Sequence, residues 1–106
     1  MSRIEAGRPV ATLINVFTVA PERQGELVEL LEQATEEVMR HQPGFVSANV
    51  HASVDGERVV NYAQWRSRED FEAMLADPGA RAHMAEISAL ASADPRLYDV
   101  RGVHEV

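Results

Sequence analysis

Apolar positions along this chain change period at points that mark its elements. From Ala11 to Val19 (A-T-L-I-N-V-F-T-V) the residues are β-branched and apolar on both parities, which predicts a strand covered on both faces. Ala20-Pro21-Glu22 opens a helix, because proline suits a first turn and an acidic side chain suits the positive end of the helix dipole. Leu27, Leu30, Leu31, Ala34 and Val38 then recur at helical spacing, with Glu29, Glu32, Glu36 and Arg40 on the outer face. Gln42-Pro43-Gly44 ends that helix, since proline lacks a donor and glycine accepts a positive φ. Alternation returns from Phe45 to Ser53 and from Arg58 to Trp65, with Asp55-Gly56 as the turn between them. Ser67 caps a second helix carrying Phe71, Met74 and Leu75, which stops near Asp77-Pro78. A third, from about Gly79 to Ala91, carries Met84, Ile87 and Leu90 and is broken by Asp94-Pro95. Leu97 to Val103 reads as a fourth strand.

The order is β-α-β-β-α-β with the second helix interrupted. This predicts an α+β, ferredoxin-like domain: a four-stranded antiparallel sheet with helices on one face. Residues 1–9 read as a flexible polar lead, and 10–106 as one domain. The other sheet face also reads as apolar, through Ile14, Val16, Val46, Ala48, Val50 and Val60. One layer of helices covers one face. The second cover is expected to be another copy, sheet to sheet, giving a two-fold dimer that closes an α+β barrel.

The third strand ends N-Y-A-Q-W, Asn61 to Trp65. Asn61, Ala63 and Trp65 share one face, and Tyr62 and Gln64 the other. An amide and an indole N–H on an apolar path need partners, from the protein or from a ligand. Hairpin parity decides what joins them. A two-residue Asp55-Gly56 turn puts Asn61 with Val50 and Ala52; a three-residue Val54-Asp55-Gly56 loop puts it with Asn49 and His51. The three-residue loop is the expectation, because it gathers Ser47, Asn49 and His51 with Asn61 and Trp65 and leaves Val46, Val50 and Ala52 to the dimer face. Asn15 joins them if Leu13 and Phe17 face the helices. The expected cavity thus holds Asn15, Asn49, His51, Asn61 and Trp65, walled by Phe17, Phe45, Phe71 and Met74. Neutral hydrogen-bonding groups among aromatic walls suit a flat aromatic ligand bearing oxygens.

Composition narrows the chemistry. There is no cysteine, which removes disulfides and thiolate catalysis, and every cationic side chain is arginine, which removes lysine Schiff-base chemistry. A net charge of −7 argues against nucleic acid or an anionic membrane as partner. The N-terminus lacks a signal-peptide apolar core and no apolar run is long enough to span a bilayer, so a cytoplasmic protein is expected. No glycine-rich phosphate loop and no metal-ligand spacing appears, so no cofactor and no metal is expected. His41 sits at a helix C-terminus and His83 on the third helix, and neither is assigned a role.

The segments L-I-N-V-F-T-V (13–19), H-Q-P-G-F-V-S-A-N-V-H (41–51), N-Y-A-Q-W (61–65) and R-S-R-E-D-F (66–71) together resemble the antibiotic biosynthesis monooxygenase family of dimeric α+β barrels. The resemblance spans about Val10 to Val103. It implies oxidation of polyketide anthrones to quinones with O2, without metal or flavin. Asn61 and Trp65 match the asparagine and tryptophan implicated in that chemistry, and His51 matches a pocket histidine that could accept a proton. Where the family has a tyrosine donor early in the next helix, this chain has Phe71. Arg81 is the candidate for a pocket arginine. Strand parity and the resemblance together give Asn61, Trp65 and His51 for catalysis, and Asn15, Phe17, Asn49, Phe71, Met74 and Arg81 for substrate. Two alternatives stand beside it. Haem-degrading members of the same fold use an asparagine at the position of Asn15 and a tryptophan at that of Trp65, but need an axial histidine in the helix after the tryptophan, where this chain offers Phe71, Met74 and Leu75. The other is a non-catalytic dimeric small-molecule binder.

Overall fold

The run read at Ala11 to Val19 forms β1 (Ala11–Thr18), an interior strand with antiparallel neighbours on both sides. The structure is a computed structural model and describes residues 2–106; Met1, part of the expected lead, lies outside the described residues. After a 3₁₀ turn at Pro21–Arg23 come α1 (Gln24–Glu37), a second 3₁₀ turn at Met39–His41, and the hairpin β2 (Phe45–Ala52) and β3 (Arg58–Trp65). Two helices follow, α2 (Arg68–Leu75) and α3 (Pro78–Ser88), and then β4 (Ser92–Tyr98). The sheet order is β2-β3-β1-β4, all antiparallel. This is the expected α+β, ferredoxin-like plan. No helix among the described residues is long and apolar enough to cross a membrane.

Local chemistry explains the helix boundaries. The Ser67 hydroxyl accepts the Asp70 N–H at 3.1 Å and starts α2. Asp77, expected only as a stop, caps α3 by accepting the Ala80 N–H at 3.0 Å, with Pro78 in the first turn. Three elements differ from expectation by more than one residue. The first helix ends at Glu37, with a separate 3₁₀ turn at Met39–His41, instead of running to Gln42. The third helix ends at Ser88 rather than Ala91, and the fourth strand is Ser92–Tyr98 rather than Leu97–Val103. Asp94-Pro95 lies inside that strand instead of breaking a helix. The strand is at the sheet edge, where proline's missing N–H costs no ladder bond on the open side.

The core has two parts. Leu27, Leu31 and Ala34 of α1 pack on Phe17, Val19, Val59 and Ile87. Trp65, Met74 and Ala80 form the second part, with Phe45, Phe71 and Met84 against them.

The hairpin overturns the expected parity. Its loop has four residues, Val54 to Glu57, between the paired Ser53 and Arg58; the Ser53 N–H donates to the Arg58 carbonyl at 2.9 Å. The Asp55 carboxylate accepts the Ser53 hydroxyl at 2.7 Å and the Glu57 N–H at 3.0 Å, and the Ser53 hydroxyl oxygen accepts the Arg58 N–H. Gly56 has φ 83, which the turn requires. The Gln24 amide donates to the Ser53 and Arg58 carbonyls at 3.0 Å each, tying α1 to the hairpin base. The resulting register is that of the rejected two-residue turn, with Val50 opposite Asn61 and Ala48 opposite Ala63. A bulge at Val46 lets Phe45 face the helices as well, opposite Trp65. Ala48, Val50 and Ala52 therefore leave the expected dimer face for the helix side. The far face keeps Ile14, Val16 and Val60, all partly exposed, beside Ser47, Asn49, His51, Tyr62 and the buried Thr12 and Gln64.

The hydrogen bond from the Glu57 N–H, and next the one from the Ser53 hydroxyl, hold the Asp55 carboxyl below the usual carboxylate range. A lowered folded-state pKa stabilises the native state above the unfolded value of about 3.9 and loses that effect as pH falls through the folded value. Asp55→Asn is thus expected to lower the melting temperature at pH 7, with the difference from wild type shrinking below about pH 4. Thermal melts across pH 3–7 check it; a constant difference would mean the carboxylate charge is not what matters.

Candidate active site

The ladder between β1 and β3 builds the site. Asn15 lies directly opposite Asn61, Leu13 opposite Ala63, and Phe17 opposite Val59. All of these face the helices. Between this floor and the helices is a cavity of about 310 Å³, lined by Asn15, Phe17, Asn61, Trp65, Phe71 and Met74 among others. Its polar content is small. The Oδ1 atoms of Asn15 and Asn61 are both buried and have no hydrogen-bond partner in the protein. Each amide therefore has an unpaired acceptor at the cavity floor. Each such group costs about 1–3 kcal/mol if nothing pairs with it. Ligand hydroxyl groups donating to the two amide oxygens would remove that cost.

Trp65 is 2% exposed and held by two edge-on aromatic contacts. Its ring centroid is 5.5 Å from that of Phe45 at 89°, and 6.2 Å from that of Phe71 at 63°. These contacts fix the indole plane, and so the direction of its N–H.

Three expected members are elsewhere. Asn49 and His51 lie on the far sheet face, because the loop has an even number of residues. Asn49 donates to the Ser2 hydroxyl at 2.8 Å, and His51 is exposed opposite Val60. Arg81 is exposed on α3 and does not line the cavity. No histidine lines it either: the His83 ring nitrogen is 3.6 Å from the Glu37 carboxylate, between α3 and α1. The axial ligand that the haem alternative requires is therefore missing from the lining. Among the described residues no cluster of three or more His, Asp or Glu could hold a metal.

The cavity also uses residues that the sequence reading left unassigned, notably Met39, Ala48, Met84, Pro95 and Leu97. Met84 was legible as an inward helical position. Ala48 would have followed from the other hairpin parity. Pro95 and Leu97 depended on the position of the last strand.

The antibiotic biosynthesis monooxygenase family model matches residues 11–86. Tetracenomycin-F1 monooxygenase of Streptomyces glaucescens is 50% identical over 100 residues, covering 94% of this chain and 89% of that protein. A monooxygenase from ActVA-Orf6 of Streptomyces coelicolor, solved in complex with nanaomycin D, superposes with a TM-score of 0.84 at 34% identity, over 93% of this chain and 94% of that one. SnoaB of Streptomyces nogalater, described as a cofactor-independent oxygenase, gives 0.78 at 30% identity over 90% and 96%. With the match of the family model to most of the sheet and helices that build the cavity, this chain belongs to the antibiotic biosynthesis monooxygenase family.

Proposed function

We propose that this protein is a cofactor-independent monooxygenase that oxidises an electron-rich aromatic small molecule, anthrone- or phenol-like, with O2 to a quinone. The observation that carries the reading is the pair of unpaired amides beside an immobilised indole in an apolar, aromatic-walled cavity. The 50% identity to a tetracenomycin-F1 monooxygenase and the likeness to a cofactor-independent oxygenase support it.

The chemistry balances without a cofactor. The substrate loses a proton to give a delocalised carbanion–phenolate. That anion passes one electron to O2, and the two radicals combine at carbon. Loss of water from the peroxide leaves the carbonyl of a quinone, so CH2 and O2 become C=O and H2O. The protein's part is to favour the anion. The Trp65 N–H and the Asn61 amide are the donors for the developing oxyanion, in a mostly apolar cavity that strengthens such bonds. No carboxylate or histidine lines the cavity, so in this reading the proton passes to solvent water.

A second copy covers the far face in this reading, through Ile14, Val16 and Val60. Sheet-to-sheet packing keeps both cavities on the outer, helix sides, so His51 of neither copy reaches a cavity. His51→Ala is accordingly expected to leave the pH dependence of kcat/KM in place, the substrate's own ionisation setting it; a displaced profile would make His51 the base after all.

The deciding assay measures O2 uptake by chelator-treated, colourless protein with an anthrone such as dithranol, against a no-protein control. Uptake that disappears with EDTA and returns with iron would refute cofactor independence. No uptake with any electron-rich phenol would leave a binding module.

A further inference from the structure

Every methionine among the described residues lines the one cavity that holds Trp65: Met39, Met74 and Met84. They come from three separate helical segments, the 3₁₀ turn after α1, α2 and α3. The opposite wall is built differently. The strand ladder sets the backbone positions of Asn15 and Asn61, and two edge-on aromatic contacts hold the Trp65 ring. One wall is thus rigid and carries the polar groups. The other carries three unbranched thioether side chains, the kind that fills irregular space by rotamer change.

The volume gives this asymmetry a purpose. About 310 Å³ is the lower end of the ~300–1,000 Å³ typical of small-molecule sites. With the oxygen-bearing edge of a flat polycycle held at the amides, added rings either leave by the cavity mouth or, if kept inside, are met by the helix wall.

We propose that Met39, Met74 and Met84 form an adjustable wall that lets the one cavity accept substrates of more than one ring number while Asn15 and Asn61 hold the oxygenated edge. The proposal rests on the oxygenase reading for its assay and extends it to specificity.

The test compares dithranol, which has three fused rings, with a four-ring homologue carrying the same dihydroxy-ketone edge. Wild type should give kcat/KM values for the two within about tenfold, the discrimination a single misfitted methylene can produce. Leucine has a similar volume but branches, so Met74→Leu and Met84→Leu should fold and stiffen the wall. Each should lower the ratio of four-ring to three-ring kcat/KM by about tenfold. Replacing all methionines by norleucine keeps the flexible chain without sulfur, and should hold that ratio within about twofold of wild type, well inside the effect expected of a stiffened wall. Equal losses on both substrates in the leucine variants, or a norleucine protein that behaves like them, would overturn the proposal. Trp65 is the chain's single tryptophan, so quenching of its fluorescence reports binding without turnover. If no oxygen is consumed but quenching shows the same size dependence, the oxygenase reading fails and the wall stands. If quenching shows none, the wall fails whatever the oxygen assay gives.

Discussion

Trp65→Phe should lower kcat by about 10²-fold while changing substrate affinity far less, because loss of one preorganised oxyanion donor costs roughly that much in activation. The substitution keeps a ring between Phe45 and Phe71 and removes only the N–H and part of the indole. Binding by apolar contact should therefore persist, and the loss should fall on the step in which negative charge develops. Asn61→Ala should act in the same direction, and it leaves the facing Asn15 amide in place. Because both donors would serve one developing charge, the double variant should lose less than the product of the single losses. Steady-state O2 uptake with anaerobic ligand titration separates the two constants. A Trp65→Phe enzyme with normal kcat and raised KM would assign the indole to binding and remove it from the oxyanion argument.

The second large effect concerns the far sheet face. Val16→Arg should convert the proposed dimer to monomer at micromolar concentration. In a sheet-to-sheet dimer the substitution buries two guanidinium groups near one another. The effective penalty is several kcal/mol per ion, so the dissociation constant should rise by roughly 10³-fold or more. Asp94 is the cross-strand neighbour of Val16 on β4, so within one subunit the new cation has a partner and the fold should survive. Analytical ultracentrifugation with circular dichroism reads both properties. A wild-type monomer at micromolar concentration, or an unchanged dimer in the variant, would place the second copy elsewhere. Val50, which the sequence assigned to this face, is the wrong residue for the experiment, because it packs against the helices.

Much of the site was written in short-range pattern. Asn61 and Trp65 share a face because they are four residues apart in one strand, and Asn15 shares theirs because Leu13 and Phe17 face the core. These inferences need only the two-residue period of a strand and the drive to bury large apolar groups. Phe71 and Met74 followed from helical spacing after a capping serine. Each depends on residues within a few positions, so the sequence sufficed.

What failed depended on how one segment meets another. Asn49 and His51 were lost from the site by the parity of a single loop. That parity is fixed by hydrogen bonds joining Ser53, Asp55, Glu57 and Arg58, and by Gln24 reaching across from α1, twenty-nine residues from Ser53. The bulge at Val46, which turns Phe45 inward against Trp65, is likewise a property of the paired strands. The last strand began earlier than its apolar residues suggested, because a proline is acceptable at a sheet edge and only the assembled sheet defines the edge. The sequence by itself determined the element order, the helix-covered antiparallel sheet and the asparagine–tryptophan face, since these follow from local periodicity and burial. Only the tertiary structure decided which neighbouring strand residues share that face and that three methionines close it, because register and wall composition are set by contacts between segments far apart in the chain.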